Sequence, residues 1–361
     1  MSGSSEQPAG SNSSDEVVTT AFGQKNRLRL INQYFGSSWG AATDVASAWS
    51  HIYRMLLWTD QTTGLAHCYE SDKSQPGKPW YGRSLAFHAW LAEAFAVTPS
   101  QVAEHIDWMF QRAATELAAA VVKKQGALQL TAMKQRHRYE GRAFPSPGDD
   151  PELVSIVRQV LGDHLDSEPT SDEWRLLVQR IRQYLTLDNK RKNLLGEGFE
   201  DVLGATIRRS CPDARFVVST RNVLHDIPGL GRNRRGEKVN KVDLSIVRPS
   251  MRTLVTAKWS VRADREKQFA SDFGAYVNAE SDGKPFEYVF VTNEFDPARL
   301  MRACEKLAVN APMFTTVVHI STDALRATYG DGREESMRKV IDHVDAGRLV
   351  SLDRWLTTLS S

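Results

Sequence analysis

Two short segments in which apolar residues recur at alternate positions, KVDLSIV (241–247) and TLVTAKWSV (253–261), are separated only by Arg-Pro-Ser-Met-Arg. A connection that short joins antiparallel neighbours, so the pair reads as a hairpin. A hairpin alone is marginal in water and needs further strands or helices over its apolar face. The flanking sequence supplies both. Upstream, LLGEGFEDVLGATI places Leu195, Phe199, Val202, Leu203 and Ile207 on one helical face and is followed by the β-rich ARFVVST. Downstream come a helix from about Ala263 to Asn278, a buried strand EYVFVT, a helix opened by Asp296-Pro297, a strand TTVVHI and two closing helices. Strands and helices in that order predict an α/β fold: a mixed central β-sheet flanked by helices.

The region before this one has a different character. From about residue 22 to 187 the periodicity is helical, which predicts an all-helical N-terminal domain of accessory, DNA-binding or dimerising use. In WYGRSLAFHAWLAEAF the residues Leu85, His88, Leu91 and Phe95 recur at helical spacing, and Thr98-Pro99 supplies an N-cap and a first-turn proline for a helix expected to reach about Val122. Such a pair of helices also admits a helix-turn-helix reading. The Pro- and Gly-rich stretch from Glu140 to Pro151 reads as a loop, and Ser171 as the cap of a helix ending near Asp188. The domain expectation is therefore a disordered tail over 1–21, a helical domain over 22–187 and an α/β domain over 188–361. No stretch approaches the roughly 18 uncharged apolar residues of a membrane span. Cys68, Cys211 and Cys304 are far apart, with no C-x-x-C pair, so neither a disulfide framework nor a thiolate zinc site is expected. With no basic and apolar leader at the start, the expected location is cytoplasmic.

Net charge becomes informative when divided along the chain. Lys190 to Lys267 holds 18 Lys or Arg against 9 Asp or Glu, whereas the whole chain carries only +2. One strongly basic segment in a nearly neutral protein suits a face that holds a polyanion. Asp243 and Lys258 lie inside it, on the two hairpin strands. Side chains alternate along a strand, so Thr256 and Lys258 share a face, and the antiparallel return brings Asp243 to the same end of the sheet. An acid and a lysine so placed suit phosphodiester hydrolysis, in which oxygen ligands hold a divalent metal and a lysine orients water or stabilises developing charge.

Asp243 followed by Thr256-Ala257-Lys258 resembles the PD-(D/E)xK nuclease signature with threonine in place of its middle acid. That variation is shared by type II restriction endonucleases reading CCGG, where the missing carboxylate comes from the following helix. Their spacing falls on Asp272 here, with Glu266 and Glu280 as alternatives. GEGFE resembles the helix that offers a further carboxylate, which points to Glu200. The words Lys258-Trp259-Ser260-Val261-Arg262-Ala263-Asp264-Arg265 match the K-x-S-x-R-x-D-R of the CCGG-reading, BsaWI-like branch at every fixed position. The resemblance spans about residues 188 to 290. It implies catalytic and metal-binding roles for Asp243, Asp272 and Glu200 around Mg²⁺, with Mn²⁺ able to substitute and Ca²⁺ non-catalytic, and a catalytic role for Lys258. Arg262 and Arg265 would each offer a planar fork to guanine O6 and N7, and Asp264 would accept from a cytosine amine. Ser260 and the loop arginines Arg232, Arg234 and Arg235 would meet the DNA backbone. The expected partner is double-stranded DNA, with cutting ahead of the first C to leave 5′ overhangs, by a homodimer or higher homo-oligomer. Two other readings compete: a structure-specific repair or junction-resolving nuclease, and a non-catalytic helix-turn-helix regulator.

Overall fold

The computed structural model describes residues 20–58, 76–137, 141–142, 151–164, 167, 169–213, 216–231, 240–261, 266–330 and 334–360. The expected tail up to residue 19, Cys68, and most of the loop from 140 to 150 lie outside them. The chain divides into two compact units, one of residues up to Asn26 with Arg112–Leu194, the other of Arg27–Gln111 with Leu195–Ser361.

The larger unit is built on six strands: β1 (Val217–Val223), β2 (Lys241–Val247), β3 (Arg252–Lys258), β4 (Phe286–Thr292), β5 (Thr316–His319) and β6 (Leu349–Ser351). They pair in that order. β2 runs antiparallel to both its neighbours, β1 and β3, whereas β3 to β6 run parallel. The mixed sheet flanked by helices is the architecture expected from the sequence. β3 and β4 are buried nearly throughout, as strands covered on both faces must be. The hairpin turns through Arg248 to Met251, with Val247 opposite Arg252.

The helices are α1 (Gln24–Phe35), α2 (Ala48–Leu56), α3 (Tyr81–Ala94), α4 (Trp108–Arg136), α5 (Pro151–Leu161), α6 (Ser171–Asn193), α7 (Phe199–Ser210), α8 (Glu266–Ala279), α9 (Pro297–Glu305), α10 (Thr322–Tyr329), α11 (Glu335–Asp345) and α12 (Leu352–Ser360). In the larger unit α7 packs on β1 and reaches β2 and β3, with α2 against α7 and α12 against α2. α8 covers the sheet with aromatic rings: Phe269 meets Phe290 and Phe314, and Phe273 and Tyr276 meet Tyr288. Phe87 of α3 packs edge-on against Phe295. In the smaller unit Arg158 of α5 lies over the Trp174 ring of α6.

Several local expectations are corrected. Thr98 does begin a capped turn, but Pro99–His105 is a short 3₁₀ helix rather than the start of a helix to Val122. The chain then breaks at Asp107, whose φ of 61° lies in the left-handed region, before α4 starts. A helix-turn-helix needs a continuous second helix straight after the turn, and none stands there. Thr170, not Ser171, caps α6: its side chain accepts from the Glu173 N–H while the Glu173 carboxylate accepts from the Thr170 N–H. α6 also passes Asp188 and runs to Asn193, leading through a π-helical turn at Leu194–Gly198 into α7. Closing the chain are three helices and the strand β6 rather than two helices. Cys211 and Cys304 are free and buried, and no described helix is long and apolar enough to cross a membrane.

Candidate active site

One carboxylate oxygen gathers the centre of the site. Asp243, third residue of β2, accepts through Oδ2 from the Lys258 ammonium at 2.7 Å, the Ala257 N–H at 3.0 Å and the Thr256 hydroxyl at 3.2 Å. This follows from the hairpin register: Leu244 faces Val255, so one step back sets Asp243 level with Thr256. Thr256, in the place where a second acid might stand, donates to the first acid instead. The Asp243 and Lys258 side chains remain 22% and 29% exposed, so the pair is open to a ligand from solvent.

Glu200 enters from the first turn of α7 and is itself buried. Burial first, then the negative charge of Asp243, pushes its carboxyl up from an ordinary 4.5 to about 7, against the pull of Lys258 and Arg221. The buried Glu200 thus stands within the field of a second carboxylate, Asp243.

Arg221 fixes Glu200 in place. This β1 residue has a φ of 52°, a left-handed conformation unusual for a non-glycine, and the pairing of β1 with β2 skips it. Its guanidinium donates to Glu200 Oε2 at 3.1 Å, to Asp201 Oδ1 at 2.5 Å and to the Glu197 carbonyl at 3.1 Å. Arg27 holds the far side, donating to Asp201 Oδ2 at 3.1 Å and to Glu197 at 2.6 Å. The buried Asp201 is therefore clamped between two guanidiniums, while its neighbour Glu200, bonded to Arg221 alone of these, feels the charge of Asp243. Arg27, Asp201 and Arg221 were not singled out in the sequence. The adjacent acids of GEGFED were the one available signal, since helical neighbours must point in different directions.

Asp272 stands half-buried on α8. Burial raises the phenols of Tyr276 and Tyr288, and the charges of both Asp272 and Asp243 raise them further, so both carboxylates lie near the same two rings. Glu280 goes elsewhere. It accepts from the N–H groups of Asp282 and Gly283 and lies 3.8 Å from Arg252, at the opposite end of β3 from Lys258. Glu266 opens α8. Ser260 sits half-buried just beyond β3. Arg232, Arg234, Arg235, Arg262, Asp264 and Arg265 lie outside the described residues.

Among the described residues no group of three or more His, Cys, Asp or Glu side chains is gathered closely enough to hold a metal. What is gathered is the pair Glu200 and Asp243. All-oxygen donors of this kind suit a hard divalent cation, whose charge would offset the burial and the repulsion that raise the Glu200 carboxyl.

No protein-family profile matches the sequence, and no curated protein matches it. Among solved structures, one match is metal-depleted Ecl18kI in complex with uncleaved, modified DNA, at 11% identity and a TM-score of 0.33 over 94% of this chain and 87% of that one. A superposition that weak carries no residue assignments.

Proposed function

We propose that this chain is a divalent-metal-dependent deoxyribonuclease of the type II restriction class and of the PD-(D/E)xK kind. In this reading it hydrolyses double-stranded DNA at a palindromic site containing CCGG, leaves 5′ overhangs, and acts as a homodimer or higher homo-oligomer. The observation that supports it best is the convergence of Thr256, Ala257 and Lys258 on Asp243, with the buried Glu200 within the field of that carboxylate.

Each residue has a task in that chemistry. Asp243 is orientated by three donors on one oxygen, which leaves its other oxygen for a cation. Glu200, and Asp272 from α8, would complete the oxygen set. Mg²⁺ held there would polarise the scissile phosphate and acidify a water, with Mn²⁺ able to substitute and Ca²⁺ non-catalytic. Lys258 is positioned by its ion pair to hold the attacking water or to offset charge developing on the phosphate oxygens. Arg262, Asp264 and Arg265 would read G·C pairs, while Ser260, Arg232, Arg234 and Arg235 would contact the backbone.

The deciding experiment digests DNA of known sequence with the full chain and Mg²⁺ and maps the ends. Discrete fragments cut ahead of the first C of CCGG are expected. Cutting at junctions or flaps without regard to sequence would replace this reading with a structure-specific nuclease. Binding without any metal-dependent cutting would replace it with a non-catalytic regulator.

A further inference from the structure

Between Lys258 and Arg262 the chain is tied down by a carboxylate with no part in the chemistry above. Glu294 lies two residues past the end of β4 and is 1% exposed. Its Oε2 accepts from the Val261 N–H at 2.7 Å. Its Oε1 accepts from the N–H groups of Phe295 at 3.0 Å and Asp296 at 2.9 Å, just ahead of α9. The Arg299 guanidinium stands 3.6 Å away. The surrounding chain is braced as well. The Asn293 N–H donates to the Trp259 carbonyl at 3.0 Å, and the Glu294 carbonyl faces the buried His319 ring at 3.1 Å.

A buried carboxylate is costly unless its oxygens are bonded, and an apolar residue would fill the same space without that cost. What an apolar residue cannot do is bond two separate segments at once. Glu294 gives one oxygen to the exit of β4 and the other to the exit of β3. Lys258 does not depend on it, because Lys258 is held in register opposite Thr292 and by its ion pair to Asp243. Val261 does depend on it: Val261 lies beyond the last paired residue of β3, and its N–H donates to Glu294.

We infer that Glu294 is a positioning residue for sequence discrimination, fixing Val261, the residue that precedes Arg262 in the sequence, relative to Lys258. The inference rests on the reading of Arg262, Asp264 and Arg265 as base contacts. It predicts that base discrimination and hydrolysis separate when Glu294 is changed.

Glu294→Gln keeps the size of the side chain but turns one acceptor into an NH₂ that faces an N–H. Glu294→Asp keeps the charge but is too short to bond both segments, and it replaces Gln as the variant if the latter does not melt cooperatively. The full chain and the variant are compared by competition binding of CCGG, CCGC and scrambled duplexes in Ca²⁺. Cleavage at saturating CCGG duplex in Mg²⁺ and amide exchange over Trp259 to Val261 are measured alongside. Expected are faster exchange at Val261, a fall of roughly tenfold or more in the preference for CCGG over CCGC, little change in affinity for the scrambled duplex, and a cleavage rate close to that of the unchanged protein. A folded variant that keeps its preference overturns the positioning role alone. An equal loss of affinity for all three duplexes, which leaves the preference unchanged, also overturns it, since that marks a general structural effect. If the unchanged protein binds all three duplexes alike, the CCGG reading itself fails, and the recognition role with it.

Discussion

Asp243 and Lys258 are bonded to each other, so removing either one leaves the other without its partner at the mouth of the site. In the proposed function both would contribute chemistry, and neither is assigned a role in reading bases. Lys258→Ala and Asp243→Ala are therefore each expected to abolish cleavage of a CCGG duplex while specific binding, measured by gel shift in Ca²⁺, stays within a few-fold. Wild-type cutting by either variant would move the active site elsewhere. Glu200 offers a test that needs no DNA. Its folded carboxyl, raised to about 7 from 4.5, holds its proton where the unfolded chain has already released it. The sign follows from linkage: its contribution to stability is fully present below about pH 4.5 and is lost as pH rises to about 7. Thermal melts without divalent metal should show that loss between these values. Glu200→Gln, which cannot ionise, should remove this part of the slope, and Ca²⁺ added near pH 6 should release protons from the unchanged protein but not from the variant. Identical melting profiles for the two proteins would mean that folding does not raise the Glu200 carboxyl.

At the scale of elements, α7 owes its seat to a glycine. A Cβ on Gly204 would stand 2.9 Å from Thr220 Cγ2 and 3.3 Å from Leu244 Cδ1, both on the strands beneath. Alanine gains up to about 1 kcal/mol of helix propensity over glycine, but overpacking costs about 1–3 kcal/mol. Thr220 is β-branched and held in β1, so the clash wins. Gly204→Ala should lower stability by about 1 kcal/mol, read as a shifted urea midpoint at unchanged slope, and should slow cleavage because α7 carries Glu200. The elements differ in how plainly the sequence announced them. The hairpin was legible because alternation and a five-residue connection leave one pairing, and that pairing alone sets Asp243 level with Thr256. The Asp296-Pro297 start of α9 was legible because a side-chain cap and a fixed proline φ are local properties. The break at Asp107 was not, since Trp108 and the residues after it continue the helical period and only the backbone turns left-handed. The clamp of Arg27 and Arg221 on Asp201 was not legible either. It joins residues 174 and 20 positions apart, and periodicity says which face is apolar but never which distant charge meets it.

For the molecule as a whole, the basic segment between Lys190 and Lys267 contains two sets of arginines with different expected uses. Arg232, Arg234 and Arg235 sit together in a Gly- and Asn-rich stretch of the sequence, whereas Arg262 and Arg265 bracket Asp264 a few positions after Lys258. Phosphates are the same along every duplex, so an arginine that neutralises one adds affinity everywhere and releases a counterion. Base edges differ, so a bidentate arginine adds affinity at one pair only. Replacing Arg232, Arg234 and Arg235 by Ala should thus weaken CCGG, CCGC and scrambled duplexes alike and flatten the salt dependence by about 0.9 in slope for each phosphate no longer neutralised. Arg262→Ala or Arg265→Ala should instead cost about 1–3 kcal/mol at CCGG, roughly tenfold to a hundredfold, and much less on the scrambled duplex. In a two-fold oligomer on a palindrome each substitution acts in both half-sites, so the discrimination lost approaches the square of the single-site factor, while heterodimers with one unchanged copy should lose the factor once. Titrations of the three duplexes at several salt concentrations separate these cases. Equal losses on every sequence for Arg262→Ala would reassign it to the phosphates and leave a generic metal-dependent nuclease.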